Sequence, residues 1–411
     1  SRKPLNTQVF PGFESLPLRH HFDRSYRHVC EGCRLRMERT SMNQKLRQTL
    51  QTKLAMAGVL CMSLFVACTT HAAEKSSDVT WKCVSFPDFF NFDVPHPWPQ
   101  WDPAVNWFLS KVEAEKPDYV MIAGDLVNGH WWEGPKCVEQ MGALYYEGWI
   151  RRMKSHNLKY YTCIGDHELG DDPWPAKKVK LIPDFERVFA KHMKMPDNGP
   201  EHKKGLAYFV LHHNVLMITL ETFEIHNEKV IPTVSGNQLA WFKQVIADHK
   251  DKVDFIVVQG HVPVFGPVKS RSSSRIMLAD GRANPLWDAM IKGDVDLYLC
   301  GEHHAVTVGE SDGIWQIVHG SSWGRKVVNT MDYLVLTATR EHLHLEMKSF
   351  SMEAGGEKMW NLHKRGGPRE IVEIPEAVRR KGPKTIGTVT IDKSGQKKQF
   401  IKPTGVFQDN R

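Results

Sequence analysis

Five short runs in this chain end in side chains that could hold a cation or move a proton. They are Pro87-Asp88, Gly124-Asp125, Gly165-Asp166-His167-Glu168, Gly260-His261 and Gly301-Glu302-His303-His304. Each follows an apolar stretch: Trp81–Phe86, Tyr119–Ala123, Tyr160–Ile164, Phe255–Val258 and Leu297–Cys300. In four of them the reactive residue comes directly after Gly, which lets the chain turn sharply and keeps space close to the backbone. If the runs meet, several carboxylates crowd together, and their repulsion is severe unless cations or protons neutralise them. Oxygen and nitrogen donors in this mixture suit divalent first-row ions.

The elements needed to bring the runs together are legible. The apolar runs read as strands, and helix-like segments separate them at 102–115, 138–155, 177–193, 235–249 and 285–291. Asp102-Pro103 reads as an N-cap followed by proline at the first helical position, and Ser235 as the cap of a helix with Leu239, Phe242, Val245 and Ile246 on one face. Tyr208–Leu220 reads as two strands of a hairpin, and Ile314–Val318 and Tyr333–Leu345 as further hairpin-like strands. The order is βαβα followed by antiparallel pairing, which predicts a layered α/β domain with mixed sheets. Strand carboxyl ends in such a domain converge on one crevice.

Taken in order, the blocks resemble the five-block signature of calcineurin-like metallophosphoesterases over about residues 81–345. Gly124-Asp125-Leu126-Val127 and Gly260-His261-Val262-Pro263 match the second and fourth blocks closely, and Ile314–Gly320 looks like the strand that follows the last. The resemblance implies a four-layer α/β/β/α sandwich of two mixed sheets and a centre of two divalent metal ions. It places Asp125 between both ions, Asp88 and His304 on the first, and Asp166 and His261 on the second. His167 falls where the family has a catalytic proton donor or phosphate contact, and Glu168 would orient it or cap a loop.

Three positions depart from the family pattern. Phe90 stands where the first block should have His, and Asn91 and Asp93 are the nearby candidates for an extra ligand. Asp166 replaces the standard Asn, and Glu302 replaces a His while keeping the ability to reach a metal. The expected set is Asp88, Asp125, Asp166, His261, Glu302 and His304, an oxygen-rich shell that favours Mn, Fe or Mg over Zn. The implied activity is hydrolysis of a phosphomonoester or phosphodiester by water activated at the dinuclear centre. The alternative is a catalytically degenerate metal-binding envelope protein of the same fold. No substrate-binding residue is assigned; His130, Trp131, Trp132, Trp174 and Trp323 are read either as an aromatic wall or as rim packing.

With 411 residues, 41% hydrophobic and 25% charged, the chain can build a large core. Its net charge of +7 divides into +7 over 1–73, −7 over 74–363 and +7 over 364–411. The acidic body excludes a pervasive polyanion-binding surface, so no nucleic-acid partner is expected. Residues 42–73 combine Lys45, Arg47 and Lys53 with the apolar stretch Leu54–Ala67 and small residues at Ala72 and Ala73, the plan of an export signal. Residues 1–41 upstream of it are expected to be absent from the native mature protein. The expected organisation is a signal at 42–73, a metallophosphoesterase domain at 74–363 and a basic tail at 364–411 with at most one small hairpin. Location is then periplasmic or extracellular, with a lipid anchor at Cys68 or the basic tail as the routes to a membrane. The expected partner is a phosphoester small molecule or a cell-envelope substrate. Cys83, Cys137, Cys163 and Cys300 are expected to be free thiols, mostly buried.

Overall fold

The computed structural model describes residues 80–89, 101–271, 273–320, 330–354, 357–358, 375–395 and 397–408. The signal-like segment, Cys68, Phe90, Asn91, Asp93 and Trp323 lie outside the described residues.

The first sheet begins with β1 (Trp81–Ser85), β2 (Tyr119–Ile122) and β3 (Tyr160–Thr162), which pair in parallel. The connections are α1 (Trp101–Ala114) and α2 (Pro135–Ser155). Two helices follow β3, α3 (Ala176–Val179) and α4 (Ile182–Met193), where one had been expected over 177–193. The break has a local cause: Pro183 lacks an N–H and fits the first turn of a new helix, so the chain restarts there.

The second sheet is laid down by β4 (Tyr208–His212) and β5 (Val215–Thr219), then β8 (Phe255–Gln259) and β9 (Leu297–Cys300), with α5 (Gly236–His249) and α6 (Pro285–Lys292) as crossovers. Between β5 and α5 lies a separate hairpin, β6 (Phe223–His226) and β7 (Lys229–Pro232), turning through Asn227 and Glu228. The second sheet is completed by β10 (Thr307–Ser311) and β11 (Ile314–Val318), which turn through Asp312-Gly313, both at positive φ. The chain then returns to the first sheet with β12 (Thr330–Ala338) and β13 (His342–Ser351), makes a two-residue ladder of β14 (Glu353–Ala354) and β15 (Glu357–Lys358), and ends with α7 (Glu376–Lys381), β16 (Lys384–Asp392) and β17 (Gln399–Ile401).

The sheet orders are β17-β16-β13-β12-β1-β2-β3 and β10-β11-β9-β8-β5-β4. Alternate residues of both sheets share one apolar cluster: Cys83, Met121, Leu334, Leu336, Leu345 and Val389 from the first, and Met217, Val257, Leu299 and Ile317 from the second. The sheets therefore face each other. The crossover helices joining parallel neighbours must lie on the outer faces. There Phe108 of α1 packs edge-on to Phe86 at 5.1 Å, and Trp287 of α6 to Phe265 at 5.3 Å. This is the expected α/β/β/α sandwich. Strands covered on both sides read as unbroken apolar runs, which explains Tyr119–Ile122, buried at every position.

The basic tail does form one hairpin, and its first strand pairs with β13. Lys393 and Lys398 hold Asp296, fully buried at the start of β9, at 2.8 and 3.0 Å. Two of the tail's cations thus tie the outer hairpin of one sheet to the other sheet. Cys83, Cys163 and Cys300 are buried free thiols, and Cys137 is partly exposed.

Candidate metal centre

Parallel register brings the strand ends level. Val120 of β2 pairs with Val84 and Tyr160, and Val257 of β8 pairs with Leu297. The loops leaving those ends are stitched within each sheet and from one sheet to the other. Asp88 N–H donates to the Gly124 carbonyl at 3.1 Å, and Gly301 N–H to the His261 carbonyl at 2.9 Å. Glu302 N–H donates to Asp88 Oδ1 at 3.0 Å. Asp88, Asp125, Glu302 and His304 all adopt positive φ, between 53° and 69°. That backbone region costs a non-glycine residue about 1–3 kcal/mol, and it is tolerated where a site dictates side-chain direction.

Glycine's role here differs in detail from simple turning. A Cβ on Gly165 would stand 2.2 Å from Asp125 Oδ1, and one on Gly301 2.8 Å from both Asp88 carboxylate oxygens. The space is taken by aspartates, one from the neighbouring strand and one from the facing sheet. Glu168, fully buried, accepts from the N–H groups of Gly165, Asp125 and Leu126 at 2.7–2.8 Å and from Val127 at 3.3 Å. It caps the loop that aims Asp125. His167 is oriented elsewhere, through Nδ1 on the Asn128 carbonyl at 2.7 Å.

Two groups of donor atoms lie within 4.8 Å of one another: Asp88, Asp125 and His304, and Asp125, Asp166 and His261. Asp125 belongs to both. Asp88 Oδ2 and Asp125 Oδ2 are buried without a hydrogen-bond partner, the condition of carboxylate oxygens kept for a cation. His261 Nδ1 lies 2.7 Å from the Ala123 carbonyl and His304 Nδ1 3.0 Å from that of Arg271. Only a protonated Nδ1 can make these contacts, so in both rings Nε2 is the nitrogen able to bind a cation. The donors fit the divalent ions that the sequence implies.

The electrostatics agree. Burial pushes the Asp88 and Asp125 carboxyls well above the usual range. Burial alone would lower His261, but the Asp125 charge and the hydrogen bonds to Asp166 and Glu302 outweigh it and raise the imidazole well above its ordinary value. All three shifts describe a cluster that draws in positive charge. Asp166 goes the other way: despite burial, His167 beside it and the 3.0 Å bond to His261 Nε2 hold its carboxyl low.

Glu302 is brought to the cluster but stands in neither group of donors. Its Oε1 accepts the Ile276 N–H at 3.0 Å, leaving Oε2 3.6 Å from His261. Burial, then the Asp166 charge, push it up to about 7. The anticipated ligand is, in this geometry, a wall of the cleft. Mutating outer partners of ligands typically costs ~10–100-fold in metal affinity, and Glu168→Gln is expected to weaken Mn²⁺ binding by that amount in isothermal titration. An unchanged dissociation constant would refute its part in aiming Asp125.

A cleft of about 150 Å³ opens over the cluster, lined by Asp125, Asp166, His167, Asp171, Asp172, Ser273, Ser274, Glu302 and His304. Among the described residues the lining includes five carboxylates and neither Lys nor Arg. An anionic substrate would be repelled unless bound cations reversed the local charge. Sequence reasoning missed Asp171 and Asp172, although the acidic density of Asp166–Asp172 was a signal. Asp171 lies 3.5 Å from His167 Nε2 and 2.5 Å from His130 Nε2. The aromatic wall does not form among the described residues. Trp131 is buried against Tyr145, and Trp174 packs on Phe223. Trp132 has Lys177 and Lys178 near its ring.

The model of the calcineurin-like phosphoesterase family matches residues 82–306, more than half of the 411 residues. The chain belongs to this family. Among the calcineurin-like phosphoesterases the site implies divalent metal ions, and the two donor groups are its candidate ligands. Among solved structures, this phosphoesterase is similar to a dimetal phosphatase from Danio rerio, with 11% identity, 66% of this chain and 96% of that chain covered, and TM-score 0.45. It is similar also to GAP50, the anchor in the inner membrane complex of Plasmodium (14% identity, 72% and 90% covered, TM-score 0.43). A third is Vps29 complexed with Zn²⁺ from Entamoeba histolytica (13% identity, 65% and 92% covered, TM-score 0.30). No curated protein matches the chain.

Proposed function

We propose that this phosphoesterase is exported, to the periplasm or the outside of the cell, and there hydrolyses a phosphomonoester or phosphodiester of a small molecule or envelope component. One observation carries the catalytic reading: Asp125, with a buried oxygen that makes no hydrogen bond, is shared by two ligand groups at the floor of an acidic cleft. Export is supported by the signal-like order of residues 42–73. Asp88 and His304 would hold one ion and Asp166 and His261 the other, with Asp125 common to both; Mn, Fe or Mg suit these donors better than Zn. Such ions supply charge neutralisation on phosphoryl oxygens and activation of water.

The chain's own residues supply positioning and a proton. His167 is nearly buried, with Nδ1 committed to the Asn128 carbonyl, so Nε2 is the atom it presents to the cleft. An imidazole held this way can donate its Nε2 proton to a departing alkoxide, a contribution of roughly 10²–10⁴-fold. Ser273 and Ser274 are the neutral hydroxyls among the lining residues, placed for sugar or ester oxygens.

The test is turnover of phosphate esters by Mn²⁺-loaded protein. His167→Ala is expected to slow an alkyl phosphate by ~10²–10⁴-fold. The loss should be much smaller with p-nitrophenyl phosphate, whose leaving group departs without a proton. Equal losses on both substrates would remove His167 from the proton-donor role. Firm Mn²⁺ binding with no release above buffer from mono- or bis-(p-nitrophenyl) phosphate across pH 5–9 would sink the enzyme reading and leave a metal-binding protein that has lost turnover.

A further inference from the structure

Beside the two donor groups already described, the cleft wall carries two more among the described residues: the all-carboxylate set Asp166-Asp171-Asp172, and a set that contains two imidazoles. His130 Nε2 lies 2.5 Å from Asp171 Oδ2, and His167 Nε2 lies 3.5 Å from Asp171 Oδ1. Both imidazoles thus aim the same ring nitrogen at one carboxylate. Their rings lie nearly parallel, 5.7 Å apart at 27°, and the three donor atoms fall within 4.8 Å of one another. Two of the three residues are fixed from behind. His167 Nδ1 is committed to the Asn128 carbonyl, which makes Nε2 the nitrogen that faces an incoming metal. Asp171 N–H donates to the Asp166 carbonyl at 2.9 Å, while the Asp171 carbonyl accepts from Lys178 Nζ. The His130 side chain is 52% exposed, so an ion can enter from solvent.

Two imidazoles and one carboxylate differ chemically from the carboxylate-rich floor. They match the His₂-carboxylate set that binds Zn²⁺ with a position left for water, and they suit Mg²⁺ or Mn²⁺ poorly. We infer that His130, His167 and Asp171 form a third divalent-metal site, selective for Zn²⁺ and similar imidazole-seeking ions. Its occupation ties up His167 Nε2. Given the proton-donor role proposed above, excess zinc then switches the phosphoesterase off while the two-ion centre stays filled. The binding itself does not rest on that role.

The experiment titrates Zn²⁺ into protein already loaded with Mn²⁺, counts both metals per chain by elemental analysis after desalting, and follows alkyl phosphate turnover in parallel. Wild-type protein is expected to gain one Zn²⁺ without releasing Mn²⁺, with turnover falling as that ion binds. His130→Ala should keep its Mn²⁺ and its basal turnover but bind the extra Zn²⁺ at least about tenfold more weakly, with inhibition moving to higher zinc by the same factor. Equal zinc affinity in the two proteins would overturn the site, as would zinc uptake that occurs only by expelling Mn²⁺. If neither protein hydrolyses any ester, the catalytic reading fails instead, and the difference in zinc count still decides this site.

Discussion

Asp125→Ala is expected to empty both ion positions and to remove phosphatase turnover. Asp125 is the one residue common to the groups Asp88-Asp125-His304 and Asp125-Asp166-His261, so its loss strips a ligand from each. Disturbing an outer-shell partner already costs ~10–100-fold, and deleting a shared ligand should exceed that range clearly. Asp88→Ala, by contrast, should weaken one ion only. Gly165→Ala offers a check that leaves every ligand in the sequence. Its new Cβ would lie 2.2 Å from Asp125 Oδ1, so the carboxylate must move, and metal content should fall as in Asp125→Ala. Elemental analysis of protein purified with excess Mn²⁺ reads these outcomes. Metal content and turnover in Asp125→Ala within tenfold of wild type would defeat the shared-ligand geometry.

The second large effect is on stability. Lys203 Nζ lies 2.8 Å from Glu221 Oε2 and 2.9 Å from Glu186 Oε1, and Glu221 is wholly buried. Lys203→Met removes the cation and leaves Glu221 with no countercharge among the described contacts. Breaking a buried pair in this way costs about 3–5 kcal/mol. Urea denaturation should show it as a shift of midpoint with little change in slope. The pH dependence has a definite sign. Burial raises the Glu221 carboxyl well above its ordinary value, so the folded state holds this proton more tightly than the unfolded chain. Glu221 is raised already beside Lys203 and rises further without it, so the penalty relative to wild type is absent while both proteins hold this proton and grows as pH rises through the wild-type ionisation. Lys203→Met should therefore be closer to wild type at pH 4–5 than at pH 7. A loss that is flat across this range, or below about 1 kcal/mol, would show that Glu221 finds another partner.

Much of the fold was legible because its central strands are covered on both faces. A short, largely apolar run closed by Gly is too brief for a helix and fits a strand buried on both sides. Leu297–Cys300 and Ile314–Val318 are observed with the boundaries expected. Edges were read less well. Ser235 does occupy the N-cap of its helix, but its hydroxyl bonds Glu224 Oε2 at 2.5 Å and caps nothing. Asp312-Gly313 closes the hairpin of β10 and β11, and its residue types are those a two-residue turn favours. The sequence of the tail suggests at most one small hairpin, yet Lys393 and Lys398 have a buried carboxylate partner that no local pattern announces.

For the site, residue type and order along the chain pointed to five runs that each follow an apolar strand, and the family resemblance singled out Asp88, Asp125, Asp166, His261 and His304 within them. Local sequence could not say which donor atoms meet, since that depends on the face-to-face packing of two sheets and on backbone turns at Asp88, Asp125 and His304. The folded chain sets His304 and Asp88 on one side of Asp125 and His261 and Asp166 on the other, the division the family resemblance implies, and it alone moves Glu302 aside onto the Ile276 N–H. Only the folded chain, too, lays His130 on His167 over Asp171, joining residues from different loops. Chemical identity is written residue by residue. The distances between ligand atoms are set by packing far from them in sequence, and those distances decide which atoms can share one ion.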